Sequence, residues 1–233
     1  MAIEFTDTHC HIQETEGVRD VAERWHKAGI MAPDALIRDA KAEGVTRMIC
    51  VGCTLRDSKL AVQLVGKHDG LWASIGIHPH EAKEYADDPA KLEEFAALAN
   101  KPKVVAVGEC GLDYYYEHSP KAEQQKLLRF QIELALDHNL PLIFHVRDAF
   151  DDFWPIFDSY RGIRGVVHSF SAGSAELEQI LARGLYVGLN GIMTFTKDPV
   201  QLDAARAVPF SKLLLETDAP FLTPKPFRGT ICE

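Results

Sequence analysis

Eight short apolar runs recur along this chain, each separated from the next by a longer segment with helical patterning, and that rhythm leaves few folds open. The runs cover residues 3–9, 46–52, 71–77, 103–109, 140–146, 163–168, 185–189 and 212–218. Most are rich in Val, Ile and Leu without polar alternation, as strands are when both faces of a parallel sheet are covered. The charged, amphipathic stretches between them are clearest at residues 32–42, 57–68, 89–99, 122–138, 149–160 and 174–183, with a shorter one at 199–207. Such alternation implies right-handed parallel crossovers and an α/β fold. Eight repeats favour closure into a (β/α)8 TIM-type barrel over an open sheet. No linker, low-complexity tract or compositional break divides the chain, so residues 1–233 are expected to form a single domain.

Composition enters mainly through what it excludes. No uncharged apolar stretch reaches the roughly 18 residues a membrane span needs. The start, Met1-Ala2-Ile3-Glu4-Phe5, lacks the basic head and long apolar run of a signal peptide, so a cytoplasmic location is expected. A net charge of -9 argues against broad electrostatic binding of nucleic acid, though not against local capture of one strand end. The five cysteines show no disulfide framework. Cys50-Val51-Gly52-Cys53 matches CxxC, but no second pair accompanies it and it lies in an apolar, strand-like run, so both thiols are read as buried.

The polar residues carry the functional argument, through where they fall. His9 and His11 end the first apolar run, Glu109 the fourth, His145 the fifth, His168 the sixth and Asp218 the eighth. In a parallel barrel all these C-terminal strand ends open on one face, where active sites are built. Residues i and i+2 of a strand point the same way, so both imidazoles of the His-x-His pair can reach one cation. Either feature alone has a bland reading, because a lone histidine at a strand end is usually a satisfied core residue. One ligand-type residue after each of four further apolar runs is harder to dismiss.

Four imidazoles and two carboxylates exceed what one catalytic zinc takes, usually three protein ligands and a water. They suit two divalent ions, about 3.5–4 Å apart, with Glu109 as the natural bridge, sharing a water and clamping a phosphoryl oxygen. Histidine-rich sites favour zinc, manganese or nickel over magnesium.

The segments DTHCH (7–11), GIHPH (76–80), GECGLDYY (108–115), FHVRDA (144–149), HSFS (168–171) and ETDAPFL (216–222) together resemble the TatD family of metal-dependent deoxyribonucleases, within the amidohydrolase-like barrels. The resemblance runs from end to end in the family's order. It implies that His9, His11 and Asp218 bind one metal, that His145 and His168 bind the second, and that Glu109 bridges. It also implies hydrolysis of DNA phosphodiesters, removing nucleotides from a 3′ end, with single-stranded DNA as the substrate partner and no stable protein partner. Three departures stand out. Residues 13–40 are longer than the family's usual segment, and Trp25, His26 and Pro33 would form a lid or an additional surface helix. Ala172 replaces the glycine that usually follows HSFS. The chain stops at Glu233, where family members continue, so the last helix is expected to be missing.

Asp218 is the candidate general base, and Glu109 the second catalytic residue. His78 is read as a phosphate contact against a purely structural role. Arg147 either forks onto a substrate phosphate or pairs with Asp148 or Asp113. Tyr114, Tyr115 and Tyr116 offer a stacking surface for a base, or ordinary loop packing. Two other functions share this residue set. One is a D-aminoacyl-tRNA deacylase, as some relatives are; the other is a non-catalytic metal-binding scaffold. A deaminase or cyclic-amide hydrolase with a carbamylated bridge would need lysine where Glu109 stands.

Overall fold

The apolar runs become eight parallel strands in the computed structural model, which describes residues 3–15, 20–30 and 32–232. They are β1 (Phe5–Cys10), β2 (Val45–Val51), β3 (Leu71–Ile75), β4 (Val104–Asp113), β5 (Leu142–Arg147), β6 (Gly165–Val167), β7 (Tyr186–Leu189) and β8 (Leu213–Leu215). Each pairs with the next in sequence, in the order β1 to β8. The ring closes between β1 and the residues after β8. Cys10 forms a parallel bridge with Ala219, the His11 amide donates to the Ala219 carbonyl (2.8 Å) and the Asp218 amide to that of His9 (2.8 Å). The Asp7 carboxylate accepts from both the amide (3.0 Å) and the hydroxyl (2.6 Å) of Thr217, stapling the first strand to the last.

Crossover helices cover the outside: α2 (Pro33–Ala42), α3 (Leu55–Val65), α4 (Pro89–Ala96), α5 (Lys121–Asp137), α6 (Phe150–Asp158), α7 (Ser174–Ala182) and α8 (Pro199–Ala207). Local chemistry fixes their starts. Thr54 caps α3 by accepting from the Asp57 amide, Asp88 and Asp198 cap α4 and α8, and proline opens α2, α4 and α8, where its missing N–H leaves no intrahelical bond unmade. The apolar faces of these helices bury Phe95, Leu128, Ile132, Phe153 and Ile180 against the outside of the barrel. Its interior holds a smaller layer of Val51, Ala106, Ile143 and Val166, with Ile49 and Leu214 beside it.

Several boundaries differ from expectation. The fourth strand continues past Glu109 to Asp113 because residues 110–113 keep pairing with β5. The eighth ends at Leu215, since the residues after it pair with β1. The long segment after β1 contributes an additional helix, α1 (Asp20–Lys27). Trp25 on it is fully buried among Ile12, Leu36 and Ile37, and its indole N–H donates to the His11 carbonyl (3.1 Å). Of the two readings of this segment, the packed helix is what Trp25 supports; residues 16–19 and 31 lie outside the described residues. Among the described residues no helix follows β8, and outward-facing Leu215 and Phe5 are half exposed.

Candidate metal centre

The barrel's inner layer sets the aim of the ligands. Side chains alternate across a strand, so a residue two positions beyond an inward-facing one faces inward again. Ile143 leads to His145 on β5, and Val166 leads to His168 at the end of β6. Strict alternation would fail for β4, where Ala106 faces in and Glu109 is an odd step away. A register irregularity between Val107 and Cys110 supplies the correction, re-aiming the next side chain as strand bulges do. Glu109's amide donates to the Gly52 carbonyl at the end of β2 (3.0 Å). The backbones approach so closely here that a Cβ on Gly76 would run into the Glu109 amide.

The six expected ligands meet. The two oxygens of Glu109 face different groups: Oε2 lies 3.5 Å from His9 Nε2, while Oε1 lies 2.8 Å from His145 Nδ1, 3.5 Å from His78 Nε2 and 3.8 Å from His168 Nε2. Asp218 Oδ1 stands 3.4 Å from His11 Nε2, 3.7 Å from His9 Nε2 and 3.8 Å from His168 Nε2. His9 and His11 bring their Nε2 atoms within 3.2 Å of each other. His9, His11 and Glu109 form one group able to share an ion, and His78, Glu109 and His145 form another. His168 stacks on His9 with ring centroids 3.5 Å apart.

Outer partners decide which nitrogen is presented by three of the rings. His11 Nδ1 donates to the Val51 carbonyl (2.9 Å), leaving Nε2 toward Asp218. His168 Nδ1 donates to Glu216 Oε2 (2.9 Å), leaving Nε2. His145 is held the other way round: Nε2 donates to Asp113 Oδ2 (2.9 Å), leaving Nδ1 toward Glu109. A carboxylate or carbonyl behind each of these three imidazoles fixes its tautomer and raises its basicity, as in well-formed metal sites, whereas His9 Nδ1 is buried without a partner among the described residues. Room for Glu216 comes from Gly188, where a Cβ would collide with its carboxylate. Asp218 holds a left-handed φ of 59°, uncommon outside glycine, and is pinned by its amide on His9 and by the Phe221 amide on its carbonyl (2.7 Å).

The electrostatics suit a cation. Burial alone would raise the pKa of Glu109, but His78, His168 and His145 hold it well below the carboxylate range. Asp218 is depressed likewise, burial being outweighed by His11, His168 and His9. Burial depresses His145 and His168, yet the carboxylates beside them win: Asp113 and Glu109 lift the first to about 9, Glu216 and Glu109 the second to about 9. Burial keeps His78 at about 4 and also depresses His9. Among the described residues no lysine or arginine pairs with Glu109 or Asp218. Buried carboxylates facing only imidazoles and a thiol among the described residues, with ring nitrogens converging on them, fit divalent metal.

A family model described as TatD related DNase matches residues 6–233. The chain belongs to the TatD family. It is therefore a metal-dependent hydrolase on a TIM-type barrel. It is 34% identical over 226 residues to the uncharacterized metal-dependent hydrolase YabD of Bacillus subtilis, covering 96% of this chain and 83% of that one. Over 195 residues it is 37% identical to the 3′-5′ ssDNA/RNA exonuclease TatD of Cronobacter sakazakii, covering 82% of this chain and 73% of the relative. The crystal structure of a TatD family hydrolase from Entamoeba histolytica superposes with a TM-score of 0.83 at 27% identity, covering 95% of this chain and 76% of that one.

The structure places the remaining expected residues more unevenly. His78 joins the Glu109–His145 group. Arg147 lies exposed on the rim with its guanidinium over the rings of Tyr115 (4.1 Å) and Tyr116 (4.7 Å). It pairs with neither Asp113 nor Asp148, because Asp113 is taken by His145 and by His80 (2.9 Å). Tyr114 is the packing residue of the three, hydrogen-bonded to Asp152 and Gln125. Sequence reasoning missed Asp113 and Glu216 as supports; their signal was a carboxylate near the end of an apolar run, already spent on Glu109 and Asp218. It also read Cys53 as a buried thiol. Cys50 is buried, but Cys53 is only half-buried and donates to Glu109 Oε2 (3.6 Å).

Proposed function

We propose that this chain hydrolyses phosphodiesters of single-stranded DNA from the 3′ end, using two divalent ions held by His9, His11 and Asp218 on one side and His145 and His168 on the other, with Glu109 between. The observation carrying this is the divided Glu109 carboxylate, one oxygen toward His9 and the other toward His145. The name of the Cronobacter relative supports the substrate and polarity. The imidazole-rich donor set favours zinc, manganese or nickel, with magnesium disfavoured.

Bound at this site, the ions supply Lewis acidity toward water and the phosphoryl oxygen. The protein's own groups do the rest. Asp218, kept ionised by the histidines around it, takes the proton of the attacking water at Oδ1. Glu109 holds the two halves of the site at a fixed separation. His78 steadies the second half, and Arg147 engages a phosphate from the rim, its planar fork suited to two oxygens. Tyr115 and Tyr116, about half exposed beside it, offer faces on which a terminal base stacks.

The test is elemental analysis of the purified protein followed by chelator-sensitive cleavage of end-labelled single-stranded DNA, with D-aminoacyl-tRNA assayed in parallel. About two ions per chain and stepwise loss from the 3′ end support the reading. Turnover of D-aminoacyl-tRNA alone would transfer the same centre to ester hydrolysis, and a metal-free, inactive protein would leave a scaffold.

A further inference from the structure

Five strands supply the ligands described so far, and β2 supplies none. Its inward-facing residues are Ile49 and Val51, members of the same interior layer as Ile143 and Val166. The next inward position is Cys53, which therefore stands to β2 as His145 stands to β5 and His168 to β6.

We propose that Cys53 is a thiolate ligand of the metal centre, adding a soft donor to the His9–His11–Glu109–Asp218 half and biasing it toward zinc-like ions. This rests on the two-ion reading above. Cys53 Sγ lies 3.6 Å from Glu109 Oε2, the oxygen that faces His9. With His11 and Asp57 it forms a further group whose donor atoms lie within 4.8 Å of one another.

Within that group the roles separate. Both oxygens of Asp57 are already engaged, Oδ1 by Gln13 Nε2 (2.9 Å) and Oδ2 by the Cys53 amide (2.9 Å). Asp57 is thus a brace. The Cys53 carbonyl accepts from the His78 amide (2.9 Å), so the cysteine's backbone is held on both sides. The side chain is the part left to act, and it is aimed at Glu109. Cys53 is also the one cysteine of the five that is not buried. The other four serve the core; this one reaches a cluster of ligands. Binding costs the thiol its proton, released to solvent, as the sulfur–metal bond replaces one to water. Thiolate ligands select zinc, cobalt and iron over magnesium and manganese.

Cobalt(II) loaded into the full chain reads the ligand directly. Ligand-field bands in the visible report occupancy, and a near-ultraviolet thiolate-to-cobalt charge-transfer band reports sulfur. The wild type is expected to show both, and Cys53→Ser the first without the second. Zinc affinity of that variant falls by at least the ~10-fold that loss of a supporting group costs, with manganese affinity almost unchanged. Visible bands without charge transfer in the wild type, or charge transfer that survives Cys53→Ser, would overturn the assignment and leave the two-ion centre standing. No cobalt spectrum at all would remove both. Should Cys53→Ser not fold, alkylation of the native wild-type chain with peptide mapping decides: zinc must shield Cys53 where magnesium does not, and equal labelling with and without zinc refutes the ligand.

Discussion

Replacing Asp113 by Asn keeps the shape of the side chain while removing its charge and giving it N–H donors, which makes it a sharp probe of the second half of the site. Asp113 Oδ1 accepts from the amides of Tyr115 and Tyr116, both at 3.0 Å, so the oxygen of the new amide stays there. Its nitrogen then faces His145 Nε2 and His80 Nε2, each 2.9 Å from the present Oδ2. An amide N–H can meet His145 only if Nε2 accepts, and the ring proton must then sit on Nδ1. Nδ1 is the nitrogen 2.8 Å from Glu109 Oε1, the one a cation needs. The variant therefore traps the wrong tautomer. Loss of a carboxylate behind a ligating histidine costs about 10–100-fold in metal affinity, or roughly 1.4–2.7 kcal/mol. Competition titration with a chromophoric zinc chelator should show one of the two binding steps weakened by that factor and the other intact. Two steps at wild-type affinity, or equal loss of both from a folded protein, would refute the argument.

Glu109→Gln neutralises the carboxylate whose two oxygens face the two halves, and hydrolysis should fall by at least the ~10²–10³-fold that loss of one electrostatic stabiliser costs, with bound metal dropping below two by elemental analysis; full metal content and activity would defeat the bridge. Ion binding should release protons at neutral pH, because His145 and His168 stay protonated up to about 9 in the ion-free chain. Apparent affinity accordingly falls as pH drops below that value, about tenfold per unit for each proton displaced, and calorimetry in buffers of different ionisation enthalpy should detect it. Trp25→Ala empties a fully buried site and strips a donor from the His11 carbonyl; a loss of about 3–5 kcal/mol in denaturant unfolding is expected, and a loss under 1 kcal/mol would mean that α1 is not part of the core. Arg147→Ala should raise KM for single-stranded DNA with kcat nearly constant, and should lower the salt dependence of binding by about 0.7 in log–log slope, the share of one phosphate contact; an unchanged slope would place Arg147 outside the substrate path.

The strand count, the barrel and the six ligand-type residues were legible in the sequence because each leaves a local mark. A parallel strand buried on both faces is a run of Val, Ile and Leu, and a candidate ligand at its end is a polar residue where the run stops, as at His145 and His168. Tertiary structure decided what no local pattern encodes. Glu109 faces the cavity through an irregularity between β4 and β5, and register belongs to pairs of strands, not to one of them. Asp113 braces His145 and Glu216 braces His168, partnerships across 32 and 48 residues that depend on how the strands of the barrel are arranged, β4 beside β5 in the first case and β8 reaching past β7 to β6 in the second. Asp7 and Thr217 close the ring over 210 residues. Cys53 looked like half of a buried CxxC until folding set it two positions past an inward Val51 and against Glu109. Residue type and periodicity act over a few positions, whereas the direction of a side chain and the identity of its partner arise only when distant segments share a wall.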